Sequence, residues 1–96
     1  MRIQFDAAKN AASIRDRGLS FERAVDFDWD SALVVEDRRR DDYGERRFRA
    51  MGHLDARLRV VVLVPRGVAI RIISLRRANR REVRWYEEAI ATDPSR

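Results

Sequence analysis

The segment Arg57 to Leu75, "RLRVVVLVPRGVAIRIISL", limits what this chain can fold into more than any other. Two runs rich in β-branched residues flank Pro65, Arg66 and Gly67, turn formers of the kind that join antiparallel strands. Neither run alternates cleanly between apolar and polar residues, which predicts burial on both faces and a place in the middle of a sheet. A chain of 96 residues has no room for a second core. Residues 1–96 are therefore expected to form a single domain whose other elements serve this sheet.

The flanking segments supply those elements. "ALVVED" (32–37) reads as a strand, "RRRDDYG" (38–44) as a polar turn and "ERRFRAMGHL" (45–54) as a loosely alternating strand, with Asp55 and Ala56 as a short connection to the apolar pair. Near the start, Ile3 to Phe5 fits a short edge strand. Asp6 is placed to N-cap a helix through alanines of high helix propensity, and Gly18 to stop it. Ser20 then caps a second helix with Phe21, Ala24, Val25 and Phe27 at roughly helical spacing, so the two form a helical hairpin. At the other end, Asn79 and Glu82 have capping-box spacing, and Val83, Tyr86 and Ile90 make one stripe of a closing helix. The expected fold class is α+β: an N-terminal helical hairpin packed on a four-stranded, mainly antiparallel sheet, with a C-terminal helix.

Composition bears on function. Charged residues make up 39% of the chain, well above the ~25% usual for a folded domain, so the surface is heavily charged. The charge is also unevenly placed: residues 1–45 hold 8 basic and 11 acidic side chains, residues 46–96 hold 13 basic and 5 acidic. A basic face able to attract a polyanion is implied. All the basic residues but Lys9 are arginine, a bias that a GC-rich genome also produces, so the positions of the arginines inform more than their number. The absence of cysteine excludes disulfides and thiolate metal sites, and a cytoplasmic location fits. The longest apolar run, Val60 to Pro65, falls far short of the ~20 residues that span a bilayer, so no membrane association is expected. With one histidine and no clustered carboxylates outside an apparent turn, no metal site is offered; no cofactor signature or phosphate-cradling glycine loop is present either.

Several stretches carry a resemblance. "FDAAKNAASIRDRGLSFERAVDF", "ERRFRAMG" and "RLRVVVLVPRGVAIRIISLRRANRREVRWY" resemble, in order and spacing, the BrnT family of type II toxins. The most specific positions are Gly18, Ser20, Phe21 and Ala24; Glu45 and Arg47 with Gly52; and Arg71, Ser74, Arg76 and Ala78, followed by Glu82 and Tyr86. The resemblance implies a RelE-like fold, a ribonuclease that stops translation, and a cognate ribbon-helix-helix antitoxin, BrnA-like, that neutralises it and contacts operator DNA. A dimer or a toxin-antitoxin heterotetramer is the expected assembly. The sequence also departs from the family: Asp16-Arg17-Gly18 stands where Lys-His-Gly is usual, Ser13 where asparagine is common, and no tryptophan precedes the first helix.

Metal-free RNA cleavage needs a base for the 2′-hydroxyl, cations for the phosphorane and an acid for the leaving 5′-oxygen. Arginine suits the second task because its fork of donors matches phosphate oxygens and keeps its charge in a low-dielectric site. The candidate catalytic residues are Arg71, Arg76, Glu45 and Arg47, with a contact from Glu45 to Arg71 or Arg76 expected across the sheet. Arg71 alternatively serves as a structural ion pair. Arg77, Arg80, Arg81, Lys9 and Arg17 are candidates for RNA binding, and Arg84 and Trp85 for the antitoxin. Against these readings, Arg80, Arg81 and Arg84 fit a solvated helix face, Trp85 also suits base stacking, Tyr86 fits the core and Ser74 a structural position. His53, a base on paper, matches no motif position.

Overall fold

A computed structural model describes residues 1–38 and 44–92. The elements are β1 (Arg2–Phe5), α1 (Ala7–Arg17), a 3-10 helix (Phe21–Asp26), β2 (Leu33–Asp37), β3 (Arg47–Leu54), β4 (Arg57–Arg66), β5 (Ala69–Arg77) and α2 (Arg80–Thr92). The strands form one five-stranded sheet in the order β1-β5-β4-β3-β2. Strands β2 to β5 pair antiparallel, whereas β1 adds in parallel to β5, with Arg2 opposite Ala69 and Phe5 opposite Ile72.

Two expectations are corrected here. The sheet is mixed and five-stranded, not four-stranded, because the short N-terminal segment joins it alongside β5. There is no N-terminal helical hairpin: a strand comes first, and the second expected helix is a six-residue 3-10 helix from Phe21 to Asp26. Its shortness follows from its packing. Phe21, Ala24 and Phe27 all turn into the core, and Trp29 Nε1 donates to the Ala24 carbonyl at 2.8 Å, so the chain folds back before further α-turns can form.

The local signals at the other boundaries operate as their chemistry requires. Asp6 accepts from the Lys9 amide at 3.0 Å, and Gly18 at φ 68° ends α1 with its amide bonded to the Ile14 carbonyl. At α2, Asn79 Oδ1 accepts from the Glu82 amide at 2.8 Å while Glu82 Oε1 accepts from the Asn79 amide at 2.9 Å, a reciprocal capping box. The β4–β5 hairpin turns on Gly67 (φ 59°) and Val68; the β3–β4 hairpin turns on Asp55 and Ala56, both with positive φ (54° and 62°). The expected polar turn at 38–44 lies largely outside the described residues.

Both faces of the sheet are covered in part, as the apolar centre demands. On one face, Val61, Leu63, Ile72 and Leu75 pack with Phe21, Ala24 and Phe27 from the 3-10 segment. On the other, Met51 and Val60 pack against Tyr86 of α2, flanked by Ile90. The α1 layer is held partly by polar bonds: Asn10 Oδ1 accepts from the Phe21 amide at 2.7 Å, and buried Ser13 donates to the Leu19 carbonyl at 2.6 Å. Gly52 is required by packing, since a Cβ there would lie 2.7 Å from the Phe27 ring. The helix α2 covers only the end of its face near Met51 and Val60, which leaves the rest of that face open.

Candidate active site

The open face is defined by strand register. On β4, Val60, Val62 and Val64 point to the α2 side, because alternate residues share a face and Val60 belongs to the Tyr86 cluster. Opposite Val60 lie Met51 and Arg76; opposite Val62 lie Arg49 and Ser74; opposite Val64 lies Arg71, itself opposite Gln4. Arg47 has the same parity on β3 as Arg49 and pairs in register with Asp37 on β2. Arginines therefore occupy successive rows of the open face, each row about 7 Å from the next.

This arrangement depends on a bulge. Val62 pairs with Ser74 but Leu63 pairs with Ile72, so Ile73 is an extra residue in β5. Arg76 lies five positions after Arg71, an odd offset that would send them to opposite faces of a regular strand. The inserted Ile73 restores both to one face, with Val64 and Val60 as partners. The same bulge lets Ile72 and Leu75 both reach the opposite core.

The four candidate catalytic residues differ in their partners. Among the described residues Arg71 makes no ion pair, and it is half-buried. Arg76 is held by Glu82 in a bidentate pair, Nη1 to Oε1 at 2.8 Å and Nη2 to Oε2 at 2.9 Å. The paired guanidinium draws the buried Glu82 carboxyl below the ordinary glutamate range, with the Asn79 amide assisting against burial. The same hydrogen bonds raise the Arg76 guanidinium further. Glu45 bonds Arg66 at 2.9 Å and approaches Arg47 at 3.8 Å. The expected contact of Glu45 with Arg71 or Arg76 is thus corrected: Arg66 sits beside Glu45 at the hairpin end, and Arg76 is claimed by the nearer Glu82.

The remaining candidates disperse. Lys9 and Arg17 line a cavity of about 260 Å³ between α1 and β5, together with Ser13, Asp16, Ile73 and Ser74. It lies on the α1 side, away from the arginine rows, and includes Ser13, Asp16 and Arg17, three of the departures from the resembled pattern noted above. Arg77 faces Arg59 across the strand pair, on the opposite side of the sheet from Arg76. With Arg80 and Arg84 it lines a shallow cavity that also holds Glu87 and Glu88. Arg81 and Trp85 instead line a cavity with Arg49 and Glu82 on the open face. His53 is exposed and meets the Tyr86 ring edge-on at 5.6 Å. It pairs with Leu58, six residues along β4 from Val64 and hence about 20 Å from the Arg71 row.

The structure adds two side chains to the candidate site that the sequence did not point to as such. Arg49 shares a face with Arg47 by simple alternation, which was the available signal. Its Nε is buried without a hydrogen-bond partner among the described residues, and its Nη1 lies 4.0 Å from Glu82. Glu82 is legible in the sequence as a cap and as a position of the resembled motif, but not as the carboxylate that holds Arg76.

The structure is thus a small α+β domain whose open sheet face bears rows of arginines, one of them bridged by a buried carboxylate, a surface with the charge that attracts polyanions. The family described as the ribonuclease toxin BrnT of type II toxin-antitoxin systems matches residues 5–82. The chain belongs to this family of ribonuclease toxins, whose type II systems pair each toxin with an antitoxin. No curated protein matches the chain. Among the described residues no helix is long and apolar enough to cross a membrane.

Proposed function

We propose that this chain is a metal-independent endoribonuclease that cuts mRNA in the cytoplasm and so stops translation, and that a ribbon-helix-helix, BrnA-like antitoxin neutralises it and carries the pair to operator DNA. The observation that carries the reading is the shared face of Arg71, Arg76, Arg47 and Arg49, the first two brought together by the Ile73 bulge. Arg71, with no carboxylate claiming it among the described residues, has its donors available for a phosphate.

Cleavage begins when the 2′-oxygen attacks the adjacent phosphorus and its proton passes to Glu45, which lies at the Arg71 end of the sheet beside Arg66 and Arg47. Arg71 and Arg47 stabilise the extra negative charge of the phosphorane. The P–O5′ bond then breaks, the 5′-oxygen takes a proton from water, and the products are a 2′,3′-cyclic phosphate and a 5′-hydroxyl. The charge that a metal would supply elsewhere comes here from guanidinium groups.

Purified protein incubated with a mixed RNA, with EDTA and with added Mg²⁺, tests this. Equal cleavage in both conditions is expected, with cyclic phosphate ends and no cutting at a 2′-deoxy linkage. Arg71→Ala should lower the rate roughly 10²- to 10³-fold, the usual cost of one transition-state donor. RNA left intact by the unaltered protein in both conditions refutes the nuclease reading. A second reading, a catalytically degenerate module that only binds the antitoxin or RNA, is favoured by Asp16 and Arg17 standing in place of the family lysine and histidine. It predicts intact RNA with retained antitoxin binding.

A further inference from the structure

On the open face beside Arg76, Val35 and Met51 form the floor of a cavity of about 340 Å³ whose walls include Arg49, Arg81, Glu82 and Trp85. The cleavage steps proposed above, carried by Glu45, Arg71 and Arg47, use none of these side chains. Three features of its chemistry point the same way. Trp85 is 41% exposed, an unusual placement for the largest apolar side chain in a small domain, and its ring borders the cavity. Arg49 and Arg81 bring two cations, and the Arg49 Nε is buried without an acceptor among the described residues. The carboxylates at the cavity are already engaged: Glu82 by Arg76 and the Asn79 amide, and neighbouring Glu36 by Arg46 through both oxygens at 3.0 Å. An anionic ligand therefore meets guanidinium groups and an indole, not free carboxylates.

We infer that this cavity is a nucleobase subsite of the RNA substrate, in which a base stacks on Trp85 over the Val35 and Met51 floor while Arg49 and Arg81 hold the adjoining phosphate. The inference rests on the nuclease reading and deepens it. Aromatic stacking combined with a cationic groove is how single strands are held without base-edge readout. Because the carboxylates are occupied, selectivity at this subsite follows stacking area, so purines are favoured modestly over pyrimidines. The subsite adjoins Arg76 through Glu82, and so it lies one end of the arginine rows away from Arg71.

Binding of a short single-stranded RNA, followed by tryptophan fluorescence and by competition, tests the subsite. Trp29 is half-buried and bonded to the Ala24 carbonyl, so quenching reports Trp85. Quenching is expected on binding, with adenine-rich RNA tighter than uracil-rich RNA. Trp85→Ala should weaken binding on the order of 10- to 100-fold, and Trp85→Phe, which keeps a stacking ring, should restore much of it. Circular dichroism on both variants confirms that the fold is kept. Unchanged RNA affinity and unchanged KM in Trp85→Ala overturn the subsite while the nuclease reading stands. If Trp85→Ala instead loses only inhibition by the antitoxin, the surface belongs to a protein partner and the inference fails. RNA binding with Trp85 quenching but without cleavage by the unaltered protein sinks the nuclease reading and leaves the subsite standing.

Discussion

Glu82 joins three parts of the molecule, and its replacement separates them. Its carboxylate accepts two hydrogen bonds from Arg76 and one from the Asn79 amide, with Arg49 at 4.0 Å, and the residue is only 8% exposed. Glu82→Gln keeps an acceptor for the cap, since glutamine also serves at this position, but removes the charge opposite Arg76. Hydrogen bonds to charged groups contribute about 1.5–3 kcal/mol, so a loss of about 2 kcal/mol is expected at pH 7. Glu82→Ala also removes the cap and adds about 1 kcal/mol. For a domain of this size the glutamine variant should melt roughly 8–16 °C lower. The pH dependence gives an independent check. Because the folded carboxyl titrates below its unfolded value, its stabilisation is fully present above the unfolded pKa and is lost as pH falls through the folded one. The gap between parent and Glu82→Gln should therefore be constant near neutrality and close in acid. Urea unfolding from pH 3 to pH 7, followed by circular dichroism, measures it. A gap below about 0.5 kcal/mol at pH 7, or one that widens on acidification, refutes the reasoning.

Other expectations are local. Gly52→Ala places a methyl 2.7 Å from the Phe27 ring, and since Phe27 is buried against Trp29 the core must shift, at a cost of about 1–3 kcal/mol by urea unfolding. Ala56 has φ 62°, so Ala56→Gly should relieve the left-handed strain and stabilise the β3–β4 hairpin by about 0.5 kcal/mol after the larger unfolded-state entropy of glycine is deducted. A lower midpoint in that variant contradicts the hairpin geometry. Arg71→Ala, in contrast with the rate loss expected for it under the proposed function, should leave stability within about 0.5 kcal/mol, because no ion pair among the described residues is lost.

What the sequence made legible was short-range. The Asp6 cap, the Gly18 stop, the Asn79 and Glu82 capping box and the connection at 55–56 each act within a few positions and took their expected places, whereas of the expected joining residues only Gly67 lies in the β4–β5 turn, Pro65 and Arg66 pairing within β4. Ile3 to Phe5 did become an edge strand, but its parallel partner lies more than sixty residues away, and nothing local announces such a pairing. The sequence does not separate the 3-10 segment from an α-helix, because Phe21, Ala24 and Phe27 suit either period over so short a run. At the site, alternation placed Arg47 but was not extended to Arg49. The common face of Arg71 and Arg76 was illegible for a sharper reason: alternation alone separates them, and only the extra Ile73 brings them back together.

The parallel seam between β1 and β5 also sets a schedule. The first strand leaves the ribosome with its edge unmatched, and its partner begins only at Ala69. At 5–20 residues per second that interval is about 3–13 s. Arg71 and Arg76 emerge on that same late strand, so the arginine rows are completed only after most of the chain has been made. Vectorial synthesis thus keeps a nascent copy without its assembled arginine face until the moment the sheet can close.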